Sequence, residues 1–301
     1  MPRFSIVVPA YNAESTLTET LDAILAQSFG GWECVVVDDG SNDETLRIAS
    51  AYARSDSRIR VIHQNNLGTA GAYDAGVSSA TGDFVALCSA DDILLPEHLS
   101  KMSDFIGFED GYDIYSSNGY FWRPDDSREL VYGPGQRESI HSLELGDVIR
   151  NCFYSVGAVY RRRLFTDIGG YRLDVFGEDY DFWLRAMASG ARHRYLPEPL
   201  SLHKVSTTRK SASLETVYRS DIRLVTDLRR DFALSAEDCR AVDERVLERE
   251  SLIAQLNQSS RFIPDGPHAA DARIAVRLLG DRGARRLYRV LKSMSGRGTP
   301  R

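Results

Sequence analysis

Four short apolar runs, residues 4–8, 34–37, 59–62 and 84–88, are rich in β-branched side chains and separated by stretches of helical periodicity. Runs of this length and kind read as strands buried on both faces, since a strand with one wetted face alternates polar with apolar positions. Between them, Leu17, Leu21, Ile24 and Leu25 share one face of a helix beginning near Ser15. Leu46, Ala49 and Ala53 do the same after the capping candidates Ser41, Asn42 and Asp43. Strand and helix alternating at this spacing imply right-handed βαβ units and a mostly parallel central sheet flanked by helices. Ligands of such sheets sit at the carboxyl ends of the strands. The polar clusters fall there: Pro9-Ala-Tyr-Asn12 after the first run, Asp38-Asp-Gly-Ser41 after the second and Ser89-Ala-Asp-Asp92 after the fourth.

Beyond Pro96 the pattern loosens, and Tyr- and Gly-rich stretches between residues 111 and 135 suggest irregular strands and long loops, where acceptor sites often lie. From Leu214 onward, Val217, Val225 and Leu228, then Val242, Val246, Leu252, Ile253 and Leu256, follow helical spacing, with a break expected near Pro264-Asp-Gly-Pro267. The expected organisation is an α/β domain over residues 1–209, in two halves (1–95 and 96–209), followed by a helical extension over 210–301. A chain of 301 residues with 43% hydrophobic and 27% charged residues suits a soluble globular protein of this size. No apolar run approaches the roughly 18 residues of a membrane helix. The start lacks the features of a signal peptide, so a cytoplasmic location is expected.

The four cysteines, Cys34, Cys88, Cys152 and Cys239, show no Cys-x-x-Cys spacing, which argues against a zinc ribbon or redox motif and for reduced thiols. A formal net charge of -6 argues against nucleic acid as a partner. The charge is uneven, however: after Ala270 stand Arg273, Arg277, Arg282, Arg285, Arg286, Arg289, Lys292, Arg297 and Arg301 against Asp271 and Asp281. This basic segment suits peripheral contact with a membrane surface or a partner, or else forms a solvated helical face.

Asp38 and Asp39 end a buried strand and run into Gly40-Ser41, an arrangement that a helix cap with turn chemistry would also produce. A second acidic pair, Asp91 and Asp92, follows another buried strand, and Leu94-Leu-Pro-Glu-His98 then opens a helix with Pro near its first turn. Two acidic pairs at neighbouring strand ends repel unless a cation or hydrogen-bond donors intervene. Hard divalent ions held by one or two carboxylates plus substrate phosphates commonly fill that role. The third acidic element, Gly177-Glu-Asp179, precedes Tyr180-Asp-Phe-Trp-Leu-Arg185 in a helical pattern. It could be a helix start alone. A base that deprotonates a hydroxyl needs a carboxylate fixed on a rigid element, and Asp179 is the best candidate.

Taken in order, Ile6-Val-Val-Pro-Ala-Tyr-Asn12, Val35-Val-Val-Asp-Asp-Gly-Ser-Asn-Asp43, Asn66-Leu-Gly68 with Ala72 and Gly76, Ala90-Asp-Asp92, Ile168-Gly-Gly-Tyr171 and Gly177-Glu-Asp-Tyr-Asp-Phe-Trp-Leu-Arg185 closely resemble the family-two glycosyltransferases of the GT-A fold, over residues 3 to about 205. The resemblance implies an inverting transfer from a nucleotide-sugar, most often a uridine diphosphate sugar, onto a glycan or lipid-linked acceptor, with Mn2+ or Mg2+ bridging the diphosphate. By the same resemblance Pro9, Tyr11, Glu14, Asp39, Ser89, Asp91 and Asp92 would bind the donor. Tyr11 would stack on the base, Asp39 would accept a hydrogen bond from it, Asp91 and His203 would hold the metal, and Asp179 would be the catalytic base.

The chain departs from the family pattern at three places. Ser89 stands where the first acidic residue of Asp-x-Asp-Asp is usual, and Tyr73 and Asp74 stand where an Arg-Asn pair is expected. At the late metal-ligand position, His203 and Ser206 compete within Leu202-His-Lys-Val-Ser206, and a lone His is often structural. A dinucleotide oxidoreductase is disfavoured, because no Gly-x-Gly-x-x-Gly follows any of the first strands. Two other readings stay open: a nucleotide-binding module without catalysis, which has no use for Asp179, and a metal-dependent nucleotidyl- or phosphotransferase.

Overall fold

A computed structural model of the protein describes residues 3–133, 142–151, 156–204 and 213–260. The first half follows the expected alternation: β1 (Phe4–Ala10), α1 (Leu17–Leu25), β2 (Trp32–Asp38), α2 (Thr45–Ser55), β3 (Ile59–His63), α3 (Gly68–Ser79) and β4 (Phe84–Leu87). Strand β1 pairs in parallel with β2 and β4, and β2 in parallel with β3. Side chains alternate across β1, and both sets are buried. Phe4, Ile6 and Val8 pack with Leu17, Leu21 and Ile24 of α1, whereas Val7 packs on the opposite side with Ala70, Tyr73 and Val77 of α3. Burial of each such aliphatic or aromatic side chain contributes roughly 1.5–3 kcal/mol, so a continuous apolar run is the economical composition for a strand between two helical layers.

The second half comprises β5 (Ile93–Leu94), α4 (His98–Phe108), β6 (Ile114–Trp122), β7 (Arg128–Leu130), α5 (Leu145–Arg150), β8 (Val159–Arg161), α6 (Arg163–Asp167), α7 (Glu178–Ala188), β9 (His193–Lys204), α8 (Leu214–Asp231) and α9 (Ala236–Ser260). Among the described residues nine strands form one sheet in the order β3-β2-β1-β4-β8-β6-β9-β5, with β7 paired to β6. Here the parallel pattern gives way: β8 is antiparallel to β4 and β6, β5 is antiparallel to β9, and β6 runs parallel to β9 through two register shifts. The Tyr- and Gly-rich stretch accordingly yields a nine-residue strand with irregular pairing.

The chain separates into one compact unit over residues 1–246 and a second over 247–301. Leu224, Val225 and Leu228 of α8 and Ala241 and Val242 of α9 are buried in the same core as Phe182 and Leu184 of α7. Arg245 pairs with Asp221 at 2.9 Å and also donates to the Arg150 carbonyl at 2.9 Å, so both charges are compensated out of water. Helical spacing alone marks a face as apolar without saying what covers it. Cys34 and Cys88 are buried free thiols and Cys239 is a free thiol at intermediate depth. Cys152, Ser206, the Pro264–Pro267 break and the basic segment after Ala270 lie outside the described residues. Among the described residues no helix is long and apolar enough to cross a membrane.

Candidate active site

The loops after β1 and β2 are stapled together. Asn12 adopts a left-handed backbone, φ 49°, so that its N–H donates to Ser41 Oγ at 3.0 Å while its Oδ1 accepts from the Asn42 N–H at 2.9 Å. Asp43 accepts from the Thr45 N–H and from the Glu14 N–H, and the Glu14 carboxylate accepts from the Glu44 N–H at 3.1 Å. The capping candidates of the second helix thus bind across loops as well as along the chain, and the exposed Glu14 side chain is engaged at the start of α2. Pro9 is half-buried near the end of β1, and the Tyr11 ring beyond it is 47% exposed. An aromatic face left in water at a strand end is suited to stacking a planar ligand.

Asp38 and Asp39 are both buried but differently occupied. Asp38 Oδ2 lies 2.7 Å from Nδ1 of His63, its register partner on β3. Asp39 Oδ1 accepts from Gln64 Nε2 and from the Leu67 N–H, each at 2.8 Å, and among the described residues its second oxygen makes no hydrogen bond. The tight return of this loop requires Gly40, φ +74°, because a Cβ there would meet the Asn66 N at 2.9 Å. Asp39 is therefore held as a fixed acceptor with one oxygen unspent, between the Tyr11 loop and the loop after β3.

The third cluster follows β4. Asp92 is buried, its N–H donating to the Ser89 carbonyl at 3.1 Å and its carbonyl accepting from Thr20 Oγ1 at 3.0 Å. His203 reaches it because β9 pairs with β5, the two-residue strand directly after Asp92, and with β6, where Phe121 sits edge-on to the imidazole at 5.7 Å. Asp92 Oδ1 and His203 Nδ1 are 3.0 Å apart, yet the angles are not those of a hydrogen bond and both atoms are left without one. Asp91 is half-buried beside them.

Asp179 occupies the first turn of α7, its Oδ1 accepting from the Tyr180 N–H at 2.7 Å. Burial raises its pKa, outweighing the backbone hydrogen bonds that act the other way. Glu178 is pushed up to about 7, first by burial and then by the Asp179 charge. The helix is anchored by Arg185, which pairs with Asp181 at 2.7 Å and donates to the carbonyls of Ile168 and Gly170, each at 2.8 Å. The segment Ile168-Gly-Gly-Tyr171 is thereby tied to the helix that carries the acid pair. Two of the three acidic motifs come together near Tyr73, a buried residue of α3 that lies within electrostatic reach of Asp179, Glu178 and Asp92.

Residues 5–169 match the profile of Glycosyl transferase family 2. The chain belongs to that family. The uncharacterized glycosyltransferase EpsJ of Bacillus subtilis (strain 168) is 30% identical over 215 residues, which cover 68% of this chain and 61% of the relative's length. Crystalline S. aureus TarS 1-349 in complex with UDP-GlcNAc superposes with a TM-score of 0.68 at 24% identity, covering 83% of this chain and 72% of that one. The mannosyltransferase PcManGT from Pyrobaculum calidifontis, in complex with GDP-Man and Mn2+, gives 0.64 at 18% identity, covering 98% and 80%. At these identities the likeness is one of fold, the GT-A type.

A family-two site of this type raises the question of a divalent ion. Among the described residues no group of three or more His, Cys, Asp or Glu side chains forms a ready-made metal cage. Asp92 Oδ1 and His203 Nδ1 do stand 3.0 Å apart, both buried and without a hydrogen bond among the described residues. This fits an ion that takes one or two protein ligands and completes its shell with diphosphate oxygens. The family resemblance names Pro9, Tyr11, Glu14, Asp39, Ser89, Asp91, Asp92, Asp179 and His203 as site residues. Gln64, His63 and Arg185 were not singled out, although Gln64 is the polar residue directly after the third strand and could have been found by the strand-end rule.

Proposed function

We propose that this family-two protein transfers a sugar from a nucleotide diphosphate donor, most readily a uridine diphosphate sugar, to a hydroxyl of a glycan, lipid-linked or other acceptor, with inversion at the anomeric carbon. The observation that carries this reading is the meeting of Asp92 with His203, 3.0 Å apart beyond the carboxyl end of β4, with Asp92 and the Glu178–Asp179 pair both within electrostatic reach of Tyr73. Tyr11 stacks on the base and the unspent oxygen of Asp39 accepts its N–H. Ser89 hydrogen-bonds the sugar of the nucleotide. Asp91, Asp92 and His203 would hold Mn2+ or Mg2+, whose chemistry is to neutralise charge on the departing diphosphate.

Asp179 takes the proton of the acceptor hydroxyl. Burial makes a carboxylate a stronger base, which suits this task at neutral pH. One carboxylate opposite the leaving group is sufficient for a single displacement, and a single displacement inverts configuration. Location at the inner face of a membrane, through the basic segment after Ala270, completes the reading for a lipid-linked acceptor.

The test is a thermal-shift and product assay across uridine and guanosine diphosphate sugars, with and without manganese. Specific binding should raise the unfolding midpoint by mass action, turnover should release the nucleoside diphosphate, and nuclear magnetic resonance should show an inverted anomeric centre. Release of a nucleoside monophosphate would point instead to phosphoryl or nucleotidyl transfer, and a retained configuration would remove the single displacement.

A further inference from the structure

The two oxygens of the Asp39 carboxylate are in different condition. Both hydrogen bonds that it accepts fall on Oδ1, one from Gln64 Nε2 and one from the Leu67 N–H, each at 2.8 Å. A carboxylate oxygen offers about two lone-pair sites, so these donors exhaust Oδ1 and leave Oδ2 as the open acceptor. Gln64 is itself held in place. Its own N–H donates to the Asp38 carbonyl at 3.0 Å, and a Cβ on Gly40 would stand only 3.3 Å from the Gln64 carbonyl oxygen. Because a carboxylate only accepts, Gln64 must turn its NH2 toward Asp39, which fixes the amide orientation. On the other side the Asp39 N–H donates to the carbonyl of Ala10, the residue before Tyr11, at 2.9 Å.

Resting on the functional reading above, we infer that Gln64 is a positioning residue that sets base selectivity: by saturating Asp39 Oδ1 it reduces the base subsite to a single acceptor oxygen, favouring uracil over guanine. Uracil presents one ring N–H between two carbonyls, and one open oxygen satisfies it. Guanine presents a ring N–H and an amino group side by side. A carboxylate meets two such donors best with one oxygen for each, the forked arrangement that it makes with a guanidinium. With Oδ1 spent, the second donor arrives without a partner beside a carboxylate that is only 3% exposed. A donor left unpaired on burial is penalised by more than the bond it fails to gain. Gln64 acts here through Asp39 and makes no contact with the base.

Calorimetry on the full chain, with uridine diphosphate and separately guanosine diphosphate in the presence of manganese, tests this in the parent, Gln64→Met, Asp39→Ala and the double variant. Thermal unfolding reads the fold in parallel. The parent should bind uridine diphosphate at least about 10-fold more tightly than guanosine diphosphate, the scale of one unpaired donor. Gln64→Met keeps the length of the side chain and removes its donor, so the unfolding midpoint should stay near the parent's while that ratio narrows by about 5- to 10-fold. In the Asp39→Ala background the same substitution should leave the ratio unchanged, since the residue through which it acts is gone. Tighter binding of guanosine diphosphate by the parent, or an unaltered ratio in Gln64→Met, overturns the selectivity role and leaves sugar transfer standing. A lowered midpoint with an unaltered ratio does the same, because a purely structural glutamine would behave that way. A ratio that narrows equally without Asp39 overturns the route through that carboxylate. If the parent binds neither diphosphate, the functional reading fails, and the inference fails with it.

Discussion

Asp179 and Glu178 are neighbours in sequence with separable consequences. If Asp179 is the base, Asp179→Asn should lower turnover by about 10²–10⁴-fold while donor affinity stays near that of the parent; full activity in that variant would transfer the role elsewhere. Glu178 yields a stability prediction that requires no substrate. Its carboxyl titrates near 7 in the folded protein against an ordinary 4.5, with burial as the main cause. A raised acid holds its proton in the folded state after losing it in the unfolded one. The stability associated with it is therefore complete below about 4.5 and is lost as pH rises through about 7. Glu178→Gln should gain stability over the parent across that window and hold a constant advantage above it. Urea unfolding from pH 4.5 to 8 measures this, and a pH-independent difference would contradict the burial assigned to Glu178.

Elements carry the next level of the site. Helix α7 is aimed by Arg185, whose guanidinium spans Asp181 and the carbonyls of Ile168 and Gly170. Removing one partner of a buried ion pair costs roughly 3–5 kcal/mol, and Arg172, 3.6 Å from Asp181, offers partial compensation. Arg185→Ala should therefore destabilise the fold by several kcal/mol in denaturant titration and, in the fraction that stays folded, reduce turnover more than donor affinity. Strand β9 has the matching role on the metal side, because its pairing with β5 and β6 brings His203 to Asp92. His203→Ala should weaken manganese-dependent uridine diphosphate binding by roughly 10–100-fold, the scale typical for groups that support a metal site, and leave metal-independent binding unchanged. Equal losses with and without manganese would make His203 a packing residue.

At the scale of the whole molecule, the helices beyond residue 213 divide into a part built into the catalytic body and a part that belongs to a second unit starting at Leu247. Truncation after residue 213 would strip Leu224, Val225 and Leu228 from the main core and should abolish soluble expression. Deletion of residues 272–301 removes the basic segment. With it gone, sedimentation with anionic vesicles should fall, since each Lys or Arg near such a surface contributes on the order of 1 kcal/mol. Unchanged sedimentation would assign the basic residues to a solvated face.

The amino-acid sequence by itself determined the order of strands and helices through β4 and the placing of the acidic motifs at strand ends and at the start of α7. Those features depend on periodicity and on capping and turn residues, which act over a few positions. Tertiary structure alone decided which distant groups meet: His203 with Asp92, Tyr73 with Tyr171, and α8 with the core of α7. Each of these depends on long-range pairing. A two-residue strand such as β5 carries too little pattern to announce its partner, and a register shift of one residue turns a side chain to the opposite face of the sheet. An apolar helix face likewise states that something must cover it, and only the assembled core states what.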